Sequence, residues 1–198
     1  MMIEEVLNFW FGTNADDAVV AAEQAALWWS KNQETDDDIR SRFEHHIRAA
    51  ARRELDPWAS TAHGRLALII LLDQFPRNVY RETAQAFSYD QKALALSLEG
   101  IARGTDWELR AIERVFIYLP LEHSESLAHQ ERSVRYFSDL VACVPAEQKS
   151  FFDEYLNYAI RHRDIIARFG RFPHRNKILG RESTTEELAF LAKPGSSF

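Results

Sequence analysis

The chain has 198 residues, of which 46% are apolar and 12% aromatic, with seven Gly, six Pro and a net charge of −6. That length and apolar share exclude a disordered chain and suit one domain with a sizeable core. So few Gly and Pro argue against an all-β fold, and a single cysteine, Cys143, excludes an intrachain disulfide or a Cys-based zinc site.

Apolar residues recur at helical spacing nearly throughout. Residues 3–11 read as a short helix closed by Gly12, followed by helices over 18–31 and 37–53. Asp56-Pro57-Trp58 reads as a turn. Residues 62–75 are apolar on every side, which makes them the central buried helix. Thr83 is a candidate cap for a helix reaching Arg103, with Gly104 as its stop, and Asp106 for one over 107–119. Pro120 is then expected to open the longest helix, running to about Val144. Pro145 opens 146–169, Gly170 ends it, and Thr184-Thr185-Glu186-Glu187 gives a capping box for a last helix to Leu191. The expectation is an all-α fold of about nine helices. They would form antiparallel hairpins, stacked as a short solenoid or bundle, in one domain over 1–192 with a loose tail over 193–198. The N-terminus lacks a signal-peptide pattern, and the longest apolar run, Leu66 to Leu72, is far short of a membrane span, which points to a cytoplasmic protein with no membrane partner.

One phrase occurs twice. Phe75-Pro76-Arg77-Asn78, with Arg81 beyond it, is echoed by Phe172-Pro173-His174-Arg175-Asn176, with Arg171 before and Arg181 after. Proline disfavours helix before it, so both phrases are expected as helix-terminating loops. Arginine offers a planar five-donor fork that suits carboxylates and phosphates. The echo therefore reads either as a prepared anion site or as internal salt bridges. From 161 to 181 the chain carries seven Arg or Lys and one acid, a charge of +6, which leaves −12 for the remainder. This basic segment docks on acidic helices of the same chain, or else meets RNA or phosphate.

Asp73 follows the apolar run and needs a partner if buried, with Arg77 one turn on as the nearest candidate for a structural ion pair. His123 and Gln130 fall on the stripe of Leu127, Val134 and Phe137, with Glu122 at its flank. In the first turn of a helix, His123 would be kept neutral by the positive end of the dipole and so suit a general base. His162 reads as packed, His45, His46 and His129 as solvated, and Cys143 as an inert core thiol. Glu125 and His129 form a lone Glu-x-x-x-His pair, too few ligands for a metal. No Walker loop, nucleophile elbow or Gly-rich dinucleotide turn is present, and nothing calls for a cofactor.

The stretches Leu7-Asn8-Phe9-Trp10-Phe11-Gly12, 64–78, 118–125 and 168–176 together resemble the bacterial family known as domain of unknown function 924. The resemblance spans nearly the whole chain. It implies a tetratricopeptide-like helical fold and no particular activity, although a 34-residue repeat is not legible in the residues themselves.

The leading functional expectation is a binding module for a small anionic ligand or acidic peptide. Arg77, Asn78, Arg171, His174, Arg175 and Asn176 would grip the anion, over a floor of His123 and Gln130. The runner-up is a hydrolase in the same pocket with His123, and Glu122 beside it, as candidate catalytic residues. RNA binding through 161–181 comes third, disfavoured by the overall negative charge.

Overall fold

A computed structural model describes residues 2–196 of the chain. It is 77% helical, with no strand among the described residues. α1 (Met2–Phe11) ends at Gly12, which has the positive φ expected of a helix stop. α2 (Asp17–Trp29) and α3 (Gln33–Ala51) are entered through Asp16 and Asn32, whose side chains accept from the first free backbone N–H groups. α3 begins four residues earlier than the periodicity indicates, because the Asn32 side chain already accepts from the Glu34 and Thr35 N–H groups.

α4 (Ala62–Ile69), a π-helical turn over Ile70–Gln74 and α5 (Phe75–Val79) run on without a break. Pro76 therefore does not end the helix, which corrects the expectation for the first phrase. The ladder widens instead: Phe75 N–H donates to Ile70 O, five residues back, just before the proline that has no N–H to donate. This rod is almost wholly buried. α1, α3, α6 (Asp90–Arg103) and α7 (Ala111–Glu122) pack around it. Trp10, Trp28, Phe43, Phe75 and Phe116 fill the gaps with edge-on and tilted ring contacts, and Trp28 Nε1 donates to Trp10 O at 2.9 Å.

Pro120 does not open a helix either. It lies inside α7, and the next helix, α8 (Leu127–Cys143), starts five residues after Glu122. α9 (Lys149–Phe169) folds back against α8 and stops at Gly170, with positive φ. α10 (Thr185–Leu191) opens with the expected Thr184/Glu187 capping box. With α4, the π turn and α5 counted as one, nine helical rods are present among the described residues, arranged as a bundle about the 62–79 rod.

One smaller expectation changes. Cys143 is exposed, because the buried face of α8 runs through Phe137 and Leu140 to Val144 and Cys143 lies off it. In the tail, residues 193–195 are exposed, whereas Ser196 is buried and its hydroxyl donates to Leu191 O at 3.1 Å. The tail's last two positions, 197 and 198, lie outside the described residues.

Candidate functional site: an Asp–His pair beside a buried guanidinium

The π turn places Asp73 where the rod meets the end of α7. Asp73 is fully buried, and its Oδ1 accepts from His123 Nδ1 at 2.8 Å. Arg77 Nη1 lies 3.4 Å from the same oxygen and also donates to the Asp73 backbone carbonyl, while the Gln74 amide donates to Oδ2. Burial opposes the charge on Asp73. Arg77, His123 and Gln74 together outweigh burial and hold the carboxyl well below the usual range.

His123 is the residue that caps the C-terminus of α7, not one in the first turn of a helix. The dipole there favours the imidazolium, opposite to the sequence-based expectation. The ring is nevertheless held below its ordinary pKa by burial first and then by Arg77, against the pull of Asp73. Because ionised Asp73 can only accept, Nδ1 carries the proton and Nε2 keeps its lone pair.

Asp90, at the start of α6, joins the two echoed phrases. Arg77 meets both of its carboxylate oxygens at 3.1 Å, fork to fork. Arg175 approaches from the other side, with Nη1 3.5 Å from Asp90 Oδ2. Arg175 is buried between the rings of Phe87 and Phe172, 4.7 and 4.6 Å from their centroids. Its Nε finds no hydrogen-bond partner among the described residues. Burial, then Arg77, brings its pKa down to about 10.

His123, Asp90 and Arg175 border an open cavity of about 380 Å³, also lined by Phe87, Pro120, Ser124 and Glu125. That volume lies in the usual range for small-molecule pockets. Glu125 is already neutralised: Arg181 grips it at 2.7 and 2.9 Å, and Phe172 N–H donates to it at 2.8 Å.

The model of the family described as "Bacterial protein of unknown function (DUF924)" matches residues 6–195. The chain belongs to the DUF924 family. It is also similar to a solved structure described as "Structure of Protein of Unknown Function ATU0120 from Agrobacterium tumefaciens". The two are 41% identical with a TM-score of 0.75, over 89% of this chain and 99% of that one. A search of the curated proteins found no match.

In this DUF924 chain the cavity gathers only part of the expected set. His123 and Arg175 reach it. Arg77 stands behind, held by Asp73 and Asp90. Asn78 donates to Asp36 at 2.9 Å, in a separate polar hollow with Arg81. Gln130 is no floor: its amide donates to Glu122 O and Ser124 O at 2.6 and 2.7 Å, closing the carbonyl end of α7. Arg171 pairs with Glu187 at 2.7 Å, and Asn176 joins Ser183 and Arg181. Glu122 faces away, with Oε1 3.0 Å from His162 Nδ1. Four arginines of the basic segment (168, 171, 175 and 181) lie in salt-bridge contact with acids outside it, as the docking reading expects, while Arg163 pairs with Asp164 inside it.

Sequence reasoning missed Asp90, Phe87 and the pair Ser124–His129. His129, expected in solvent, is half-buried, with Nδ1 2.9 Å from Ser124 Oγ. His46 is buried against α1, with Nε2 3.3 Å from Met2 Sδ. No local pattern marks these contacts: His46 meets Met2 through the packing of α3 on α1, and Ser124 meets His129 only because α7 ends at Glu122 and α8 starts at Leu127.

His174 lies on the second turn, its ring 5.6 Å from Phe172, and burial pushes its pKa down to about 3, with Arg175 adding to the effect. An unfolded histidine titrates near 6.5. Between pH 6.5 and 3 the unfolded chain therefore binds a proton that the folded chain refuses, so His174 costs stability as the solution is acidified. Above pH 6.5 it contributes nothing. Urea unfolding across pH 4–7 is expected to show a shallower pH slope in His174→Gln than in wild type; equal slopes would count against the burial.

Proposed function

We propose that this cavity binds a small molecule bearing one carboxylate or phosphate, with Arg175 as the anion contact and His123 Nε2 accepting a hydrogen bond or proton. The observation that carries this reading is Arg175: a buried guanidinium whose Nε is unmet among the described residues, beside a cavity of ligand size. Burying a charge with incomplete hydrogen bonding is costly, and an anion in the cavity would complete it. The surrounding cluster is neutral overall, with Asp73, Asp90 and Glu125 balancing Arg77, Arg175 and Arg181. Local donors rather than net charge therefore select the ligand, and they suit one anionic group only.

A second reading, a hydrolase, is favoured by the Asp73–His123 pair. A buried carboxylate that fixes the imidazole tautomer leaves Nε2 basic, which is the arrangement of an oriented general base. The basic segment's internal pairing gives no support to RNA binding.

Thermal unfolding in phosphate and in a panel of small carboxylates tests the leading reading. Saturating anion is expected to raise the wild-type melting temperature, since a ligand at a hundred times its Kd stabilises by about 2.7 kcal/mol. In Arg175→Gln the rise should vanish while the anion-free melting temperature changes little, because Arg77 still holds Asp90. A rise that persists in the variant, or a wild type indifferent to every anion tested, ends the reading.

A further inference from the structure

We propose that Ser124 is a nucleophile in this cavity, activated by His129, and that the substrate is a small activated ester whose acyl part carries the anionic group. This rests on the hydrolase reading of the same site and supplies the nucleophile that the sequence does not reveal.

Ser124 lines the cavity beside His123, and its hydroxyl lies 2.9 Å from His129 Nδ1. His129 is kept neutral by partial burial and then by Arg132. With its proton on Nε2, its Nδ1 accepts from the serine hydroxyl, which is the nucleophile–base contact that serine catalysis requires. The turn that carries Ser124 is rigid. Gln130 Nε2 donates to Ser124 O at 2.7 Å and to Glu122 O at 2.6 Å, and Ser124 N donates to Leu121 O. His123 thus borders the cavity, while His129 stands behind Ser124 and meets its hydroxyl. His129 has no carboxylate in salt-bridge contact among the described residues, so its imidazolium is less stabilised than in a full triad. That limits the reaction to acyl compounds with a good leaving group, such as thioesters and aryl esters.

Ser124 Oγ attacks the carbonyl carbon, forming the Oγ–C bond, while the hydroxyl proton passes to His129 Nδ1. The tetrahedral adduct collapses, the C–O or C–S bond to the leaving group breaks, and His129 returns the proton to the departing alkoxide or thiolate. His123 Nε2 then takes a proton from water, whose oxygen attacks the acyl carbon. The second tetrahedral adduct collapses, the Oγ–C bond breaks to release the acid, and the proton on His123 passes through cavity water to Ser124 Oγ. The net reaction is ester plus water to acid plus alcohol or thiol. Arg175 holds the anionic end of the acyl part.

The test uses p-nitrophenyl acetate, a neutral activated ester that does not need Arg175. Wild type is expected to release a burst of p-nitrophenolate and to carry one acetyl group on Ser124, located by peptide mass spectrometry. Ser124→Ala should show neither. His129→Asn should acylate at least about 100-fold more slowly, and His123→Asn should acylate but retain the acetyl group at least about 100-fold longer, at the lower end for loss of an acid–base group. Acetyl found only on other residues of wild type, or a burst that survives in Ser124→Ala, overturns the proposal. Mapping on wild type needs no variant to fold. The anion-induced rise in melting temperature is read separately: if it persists while Ser124 stays unmodified, the nucleophile falls and the anion site stands.

Discussion

Asp73→Ala is expected to lower the unfolding free energy by about 3–5 kcal/mol, the range for breaking a buried charge pair by removing one member. For a chain of this length that is roughly 6–20 °C in melting temperature. The cost is large because Asp73 is fully buried and holds three donors at once. Without it, His123 Nδ1–H and the Gln74 amide lose their acceptor, and Arg77 keeps only Asp90 and backbone oxygen. Asp73→Asn retains an acceptor and the shape, so its loss should be smaller. Chemical denaturation of both variants checks this. A loss below about 1 kcal/mol for the alanine variant, the value of an exposed pair, would place the carboxylate in solvent.

Gly64→Ala is expected to destabilise, although alanine in a helix normally gains about 1 kcal/mol over glycine. Gly64 sits in the first turn of α4, its N–H held by Thr61 Oγ1 at 3.1 Å. The short 3-10 turn over Asp56–Ser60 brings the Trp58 carbonyl directly over it, so a Cβ would overlap that oxygen and stand 2.9 Å from Thr61 Oγ1. The carbonyl is backbone and cannot rotate away, and turning Thr61 Oγ1 aside would break the bond it accepts from the residue 64 N–H. Overpacking of this kind costs about 1–3 kcal/mol and sometimes more, which outweighs the propensity gain. A net loss above about 1 kcal/mol is expected from denaturant unfolding. An unchanged or more stable variant would mean that the Trp58 turn yields freely.

By itself the amino-acid sequence determined the all-α class, most helix ends and the buried central rod. These follow from interactions within a few residues: the spacing of apolar side chains, the stop at Gly104 and Gly170, and the Thr184 capping box. The burial of Asp73 and its pairing with Arg77 were also legible, because a carboxylate at the end of an apolar run has a short list of partners one turn away. The two prolines misled for a definite reason. Pro76 and Pro120 each remove one helical hydrogen bond, but surrounding packing supports the helix beyond them, in the first case through a π turn. That moved His123 from a helix start to a helix end, and reversed the dipole assumed for it.

Only the tertiary structure decided which charges cancel and which groups share a cavity. The echoed phrases offered several arginines and asparagines of the same appearance, and their fates diverge with the acid each one meets: Asp36 for Asn78, Asp90 for Arg77, Glu187 for Arg171. Those acids lie 10 or more residues away along the chain, on other helices, and no local pattern connects them. Arg175 stands beside the cavity with its Nε unmet among the described residues because Phe87 and Phe172 enclose it while Asp90 already faces Arg77. Ser124 meets His129 because Gln130 pins the turn between α7 and α8. A side chain's chemistry is written locally, but the dielectric and the partner that decide how it behaves are set by helix packing.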